Sequence, residues 1–301
     1  MDEAAVQSLR SRFAVHHQPD LVDDRAALLA SLAEAEALIV RNRTQVDAAL
    51  LERAPRLRVV GRLGVGLDNI DLAACDARAV AVFPATGANA VAVAEYVICS
   101  AMMLLRGFWQ ATPAVAAGEW PRTALSSGRE VSGRTLGLVG FGGIGQLVAV
   151  RSQALGMRVV ACDPALAPDL PLWRERGVQP LALEQVLAAA DVLSLHVPLT
   201  PQTRNLIDAR RIAAMKPQAV LINTSRGGIV DEAALAAALR AGSLGGAAVD
   251  VFEQEPLPKD SPVVDAPNLL LTPHIAGLTF ESNQRVSSMV ADRVARFLCV
   301  G

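Results

Sequence analysis

The sequence predicts an α/β protein built from two doubly wound, parallel sheets. Three observations carry that expectation. Strand-length apolar runs alternate with helical patterns along most of the chain, which is the signature of parallel strands joined by crossover helices. Of the 301 residues, 52% are hydrophobic but only 4% aromatic, so the core is chiefly Ala, Val, Leu and Ile, a composition suited to sheets covered by Ala-rich helices. A glycine turn, Gly140-x-Gly142-x-x-Gly145, joins an apolar strand to a helical stretch. The length accommodates two domains, each with its own core.

Before residue 90, strands are expected near Phe13–His17, Ala37–Arg41, Val59–Leu63 and Val80–Phe83, with helices near Ala4–Ser11, Asp24–Leu32, Asp47–Ala54 and Leu72–Arg78. After residue 130, the expected strands are Thr135–Phe141, Arg158–Asp163, Val192–Val197, Ala219–Thr224, Gly246–Phe252 and Asn268–Pro273. Helical patterns separate them at Ile144–Gly156, Leu183–Ala190, Ala209–Met215 and Glu232–Ala241. Ala90–Leu105 is almost wholly apolar, so it is expected to be buried by packing, against another subunit as one option.

The glycine turn points to a dinucleotide. Gly140 permits the tight turn, Gly142 lets backbone approach a pyrophosphate, and Gly145 lets helix and strand pack closely, while the helix N-terminus offers free N–H groups to phosphate. The pattern alone is weak and fits a ligand-free αβ turn. Its setting is stronger: a second strand follows and ends on Asp163, 18 positions after Gly145, near the offset of an acid that binds a ribose diol.

Charge and cysteine usage exclude other classes. Net charge is −2 with no basic run, so nucleic-acid binding has no electrostatic footprint. Cys75, Cys99, Cys162 and Cys299 are scattered without CxxC spacing and read as small hydrophobes in a reducing compartment; no metal site is expected. There is neither a signal-like start nor an uninterrupted apolar run of about 18 residues, so a cytoplasmic protein without a membrane span is expected.

Three polar residues stand at predicted strand ends, where open α/β sheets bind ligands: Arg226, Glu255 and His274. An arginine clamps a carboxylate through two parallel hydrogen bonds. A histidine exchanges protons near neutral pH, and a glutamate beside it fixes the tautomer and favours the imidazolium. Singly, each reads as a surface charge, a loop acid and a structural histidine. Together on one dinucleotide-binding sheet they supply an anchor and a proton donor for reducing a 2-oxo acid.

The chain resembles the D-isomer-specific 2-hydroxyacid dehydrogenases, nearest their phosphoglycerate dehydrogenase branch. The matching segments are Gly61-Arg-Leu-Gly-Val-Gly-Leu-Asp-Asn-Ile-Asp71, Asn89-Ala-Val-Ala-Val-Ala-Glu95, and the glycine turn with Asp163. They continue with His196-Val-Pro-Leu-Thr-Pro-Gln-Thr203, Asn223-Thr-Ser-Arg-Gly-Gly-Ile-Val-Asp231, Ala248-Val-Asp-Val-Phe-Glu-Gln-Glu-Pro256 and Pro273-His-Ile-Ala-Gly277. The resemblance implies that Arg226 binds the substrate carboxylate, His274 is the acid/base and Glu255 pairs with it. It implies NAD as cofactor, held by Gly140, Gly142, Gly143, Ile144, Gly145, Asp163, Pro198, Thr203, Thr224, Asp250 and Gly277. Asp250 is expected to face the nicotinamide carboxamide, and Asp163, followed by Pro164 rather than a cation, to disfavour a 2′-phosphate.

The resemblance further implies a Rossmann NAD domain over 89–276 inserted into a flavodoxin-like substrate domain formed by 1–88 and 277–301, and a homodimer through the NAD domain. Met1-Asp-Glu-Ala-Ala reads as the start of the first helix, so the substrate domain is expected to lack its usual first strand. The regulatory domain carried by many phosphoglycerate dehydrogenases is not expected. Substrate contacts are expected from Arg41, Asn42, Arg43, Arg62, Gly64, Val65 and Gly66, besides Arg226 and His274. An arginine cluster suits a second anion, with 3-phosphoglycerate, sulfolactate-type acids and glycerate/hydroxypyruvate as open candidates, and Arg43 reads equally as a surface charge. Arg41-Asn-Arg-Thr-Gln-Val46 and His274-Ile-Ala-Gly-Leu-Thr-Phe-Glu-Ser-Asn283 look similar to sulfolactate dehydrogenases. A corepressor that senses NADH on the same fold is the alternative from another class. A formate dehydrogenase is disfavoured, because that branch has glutamine where this chain has Glu255.

Overall fold

The structure is a computed structural model and describes residues 1–300. By contacts the chain forms two compact units, Met1–Asn89 together with the chain from Leu278, and Ala90–Gly277.

In the first unit, β1 (Ala37–Val40), β2 (Val59–Arg62) and β3 (Ala81–Pro84) form a parallel sheet in that order. Leu28, Leu50, Leu51, Val60 and Cys75 form the core on one face. Val59, Val286, Val290 and Val294 form it on the other, three of them from the long helix Phe280–Val300. That helix was not among the expected elements, although Val286, Val290 and Val294 recur at the spacing of one helical face.

The expected strand Phe13–His17 is irregular chain. Phe13 and Val15 do pack on Ala5, Leu9, Ala291 and Ala295, so burial alternates as in a strand. The segment has no ladder partner among the described residues, and alternation without inter-strand N–H···O=C bonds does not make a strand.

In the second unit, β4 (Thr135–Val139), β5 (Arg158–Cys162), β6 (Gln179–Pro180), β7 (Val192–Leu195), β8 (Val220–Asn223), β9 (Gly246–Val249) and β10 (Leu269–Leu271) form one parallel sheet. Its order is β10-β9-β8-β7-β4-β5-β6. The order reverses between β4 and β7, and open α/β sheets bind their ligands outside the carboxyl ends of such a strand pair. β4, β7, β8 and β9 are buried along their length, as expected for strands covered on both faces. The apolar helix Ala90–Arg106 buries Val93, Ala94, Val97, Ala101 and Leu104 in the core on one face. No single helix among the described residues is long and apolar enough to cross a membrane.

Among the described residues, six helices begin on an aspartate whose carboxylate accepts a backbone N–H of the first turn: Asp2, Asp24, Asp47, Asp71, Asp208 and Asp231. Each satisfies a donor that the helix itself leaves without a partner.

Candidate active site

The glycine turn closes β4 and opens the helix Gly143–Ala154. Gly140 has φ 96°, and a Cβ there would lie 2.4 Å from the carbonyl oxygen of His196, at the end of β7. Only glycine lets these two chain ends approach so closely. A Cβ on Gly145 would lie 2.5 Å from the Gly140 carbonyl oxygen, whereas Gly142 and Gly143 face open space. Backbone is thus compressed on the sheet side and left accessible on the outer side. Gly142 is the N-cap and no side chain caps the helix.

Asp163 sits just beyond β5 and folds toward this turn: its carboxylate accepts from Phe141 N at 2.8 Å and Ala165 N at 3.0 Å. After β7, Thr203 Oγ1 donates to Pro198 O at 2.6 Å and accepts from Thr200 N at 2.7 Å, closing that loop on itself. Thr224 Oγ1, just beyond β8, is buried with no hydrogen-bond partner among the described residues. His196 places Nε2 3.0 Å from Ser194 Oγ, and burial pushes its imidazole down to about 4.

Arg226, Glu255 and His274 follow the carboxyl ends of β8, β9 and β10. Arg226 follows β8 in a turn pinned at several points: Asn223 Nδ2 donates to Arg226 O at 3.0 Å, Ser225 N to Asn223 Oδ1 at 3.1 Å, and Ser225 Oγ to Leu195 O at 2.6 Å. The Arg226 guanidinium donates to Ser225 O at 2.6 Å. Asn223 is the polar residue that ends the apolar strand β8, and that polar end is the sequence signal for its role in this turn. Gly227 lies against the chain after β9: a Cβ there would be 1.8 Å from Phe252 O.

His274 and Glu255 are paired, with Nδ1 2.8 Å from Oε2. Glu255 Oε1 accepts from Phe252 N at 3.1 Å, so the carboxylate is itself held. With Nδ1–H directed to the carboxylate, Nε2 is the nitrogen left for proton exchange with a ligand. His274 has φ 56°, a left-handed conformation uncommon outside glycine. Its N–H donates to Asp250 O at 2.8 Å and Thr272 O at 3.0 Å.

Asp250 is 1% exposed, and its carboxylate accepts three bonds, from Thr272 Oγ1 at 2.5 Å, Ile275 N at 2.8 Å and Ala276 N at 2.8 Å. It therefore holds the His274 loop, work that the sequence did not reveal beside the expected nicotinamide contact.

In the first unit, Arg41 follows β1 and Arg62 ends β2, and the parallel register sets Val40 beside Arg62, so both cations emerge at one sheet edge. Arg41 Nη2 donates to Asn283 Oδ1 at 3.1 Å, and Asn69 Nδ2 donates to Arg41 O at 2.9 Å. Arg62 Nη1 donates to Leu63 O at 2.8 Å beside Gly64. Arg43 pairs with Asp23, and both side chains are more than 60% exposed. Asn42 and Val65 are exposed, and Gly66 is partly so. Among the described residues no group of three or more His, Cys, Asp or Glu could hold a metal.

An uncapped helix N-terminus, open glycines, an acid at the next strand end and an orphaned threonine hydroxyl fit a dinucleotide, and the Arg226, Glu255 and His274 strand ends belong to the same sheet. The fold and site define a nicotinamide-dependent oxidoreductase. Residues 98–276 match the model of the D-isomer-specific 2-hydroxyacid dehydrogenase NAD-binding domain. The chain is 56% identical over 302 aligned positions to the (S)-sulfolactate dehydrogenase of Chromohalobacter salexigens, covering 100% of this chain and 96% of that protein. It is 42% identical over 271 positions to the D-3-phosphoglycerate dehydrogenase of Mycobacterium leprae, covering 90% of this chain but 51% of that longer protein. The crystal structure of the TT0316 protein from Thermus thermophilus superposes with a TM-score of 0.87 at 36% identity, covering 98% of this chain and 93% of that one. D-lactate dehydrogenase from Aquifex aeolicus, solved with NAD and lactic acid, gives a TM-score of 0.81 at 28% identity, covering 97% and 91%.

The chain therefore belongs to the D-isomer-specific 2-hydroxyacid dehydrogenase family. It is an NAD-dependent oxidoreductase acting on small hydroxy acids.

Proposed function

We propose that the substrate is a 2-hydroxy/2-oxo acid carrying a second anion, of the sulfolactate type. Arg226 anchors the C1 carboxylate through its guanidinium fork. His274 Nε2 exchanges a proton with the C2 oxygen, and Glu255 holds the opposite ring nitrogen. NAD supplies the hydride exchange at C2 when bound. Asp163 favours a free ribose diol over a 2′-phosphate.

The observation that carries the second anion is the placement of Arg41 and Arg62 at neighbouring strand ends in register. The name of the Chromohalobacter salexigens relative, with its sulfonate-bearing substrate, points the same way. Arg41 and Arg62 are the cations the first unit offers to an anion, while Arg43 pairs with Asp23 at the surface. The test compares kcat/KM for sulfopyruvate, 3-phosphohydroxypyruvate, hydroxypyruvate and pyruvate. A charge-assisted bond is worth about 1.5–3 kcal/mol, so the doubly anionic acids should be preferred about tenfold or more. Arg41→Ala should erase that preference and Arg43→Ala should keep it. Equal use of pyruvate would overturn the reading.

The protein is proposed to work in the cytoplasm as a homodimer through its NAD-binding unit. Exposed Phe108, Val115 and Trp120 in that unit support the association, which light scattering of the purified protein measures.

A further inference from the structure

Asp250 is reached from the core by a hydrogen-bonded chain that begins in the apolar helix Ala90–Arg106. Tyr96, the chain's one tyrosine, is half-buried and places its hydroxyl 2.7 Å from Thr272 Oγ1. Thr272 has a single hydroxyl proton, and that proton goes to the Asp250 carboxylate at 2.5 Å. Thr272 Oγ1 must therefore accept, and Tyr96 must donate. Burial pushes the Tyr96 phenol up, which keeps the donor protonated through the neutral range.

Beyond Asp250 the chain divides to Ile275 N and Ala276 N, the two amides directly after His274. Thr272 lies two residues before the histidine. The five-residue arc Thr272–Ala276, which holds His274 in its left-handed conformation, is thus tied at both ends to one carboxylate. Such strain persists only where the surroundings over-determine it.

We propose that Tyr96 is a positioning residue for His274, acting through Thr272 and Asp250 to fix the arc that aims the imidazole. This rests on the acid/base role proposed for His274. Tyr96 touches neither the imidazole nor Glu255 through any of these bonds. Its effect is to polarise the Thr272 hydroxyl, since hydrogen bonds in series strengthen one another. Loss of the phenol oxygen leaves the ring packing in place and slackens the tether.

The test removes that oxygen with Tyr96→Phe. With the 2-oxo acid that the unaltered protein reduces best, kcat should fall up to about tenfold, the worth of one net hydrogen bond. The dissociation constant for NADH should stay within about twofold, and hydrogen exchange at the Ile275 and Ala276 amides should accelerate. Thr272→Val should give a similar loss, the double variant no more than either alone, and Thr272→Ser should recover most of the rate. Unchanged kcat and unchanged amide protection in Tyr96→Phe would overturn the proposal, as would fully additive losses in the double variant. If the unaltered protein reduces no 2-oxo acid while Tyr96→Phe still speeds amide exchange, the proposed reaction is refuted and the tether is supported.

Discussion

Replacing Gly227 by alanine tests whether the anchor and the acid/base pair are set by one close backbone contact. A Cβ at this position would stand 1.8 Å from Phe252 O, 1.9 Å from Phe252 C and 2.4 Å from Glu253 N, where real Cβ atoms essentially never come within 3.0 Å. All three obstacles are backbone, so no rotamer relieves them, and the two segments must part by more than 1 Å. One segment carries Arg226. The other carries Glu255, whose Oε1 is fixed by Phe252 N and whose Oε2 holds His274. Whichever moves, Arg226 and the Glu255–His274 pair lose their mutual setting, and with it the geometry that the proposed reaction needs. A misplacement of about 1 Å costs on the order of 10²-fold in rate, and overpacking costs about 1–3 kcal/mol of stability. NADH oxidation should thus show kcat/KM lowered about 100-fold with a folded protein by circular dichroism. NADH binding, read by fluorescence titration, should survive, because the Gly140–Gly145 turn is not part of this contact. A variant within about threefold of the parent rate would refute the reasoning, since the loop would then tolerate the separation without consequence.

His274→Ala should lower kcat by roughly 10²–10⁴-fold and leave the NADH dissociation constant nearly unchanged; near-parental turnover would remove His274 from the chemistry. Asp163→Ser combined with Pro164→Arg should narrow a strong NADH preference, measured as the ratio of kcat/KM for the two cofactors, and equal use of both by the parent would contradict the ribose role. His196 makes stability depend on pH. Its folded value is about 4 and its ordinary value 6.5, so between these the unfolded chain takes up a proton that the folded chain does not. Its contribution is neutral above about pH 6.5 and destabilising as pH falls toward 4, by roughly 3 kcal/mol. Urea unfolding of His196→Gln and the parent at pH 7 and pH 4.5 should show the parent losing more; equal losses would count against it.

The glycine turn, Asp163 and the strand-end trio were legible because each is a local rule: a turn only glycine makes, an offset fixed by one βαβ unit, polar residues closing apolar strands. The helix Phe280–Val300 carried a readable stripe, yet its register against the sheet becomes meaningful only once Val59 is known to lie on the facing side. Phe13–His17 failed for the opposite reason, since alternation reports burial while a strand needs a neighbour. Arg43 pairs with Asp23, 20 residues away, a partner that no local spacing rule names. The Tyr96, Thr272 and Asp250 chain spans 176 residues from hydroxyl to hydroxyl, and no spacing rule joins positions so far apart.

Six helices here carry their own anion at the start, and the helix Gly143–Ala154 does not. Bound at that helix, the dinucleotide phosphates would act as a detachable cap, arriving with the cofactor and leaving with it. The first turn after Gly142 is then the place where emptying the site should show as fraying, while the aspartate-capped helices stay closed. Cofactor occupancy becomes a term in the protein's thermal endurance, growing with the logarithm of free cofactor once it exceeds the dissociation constant.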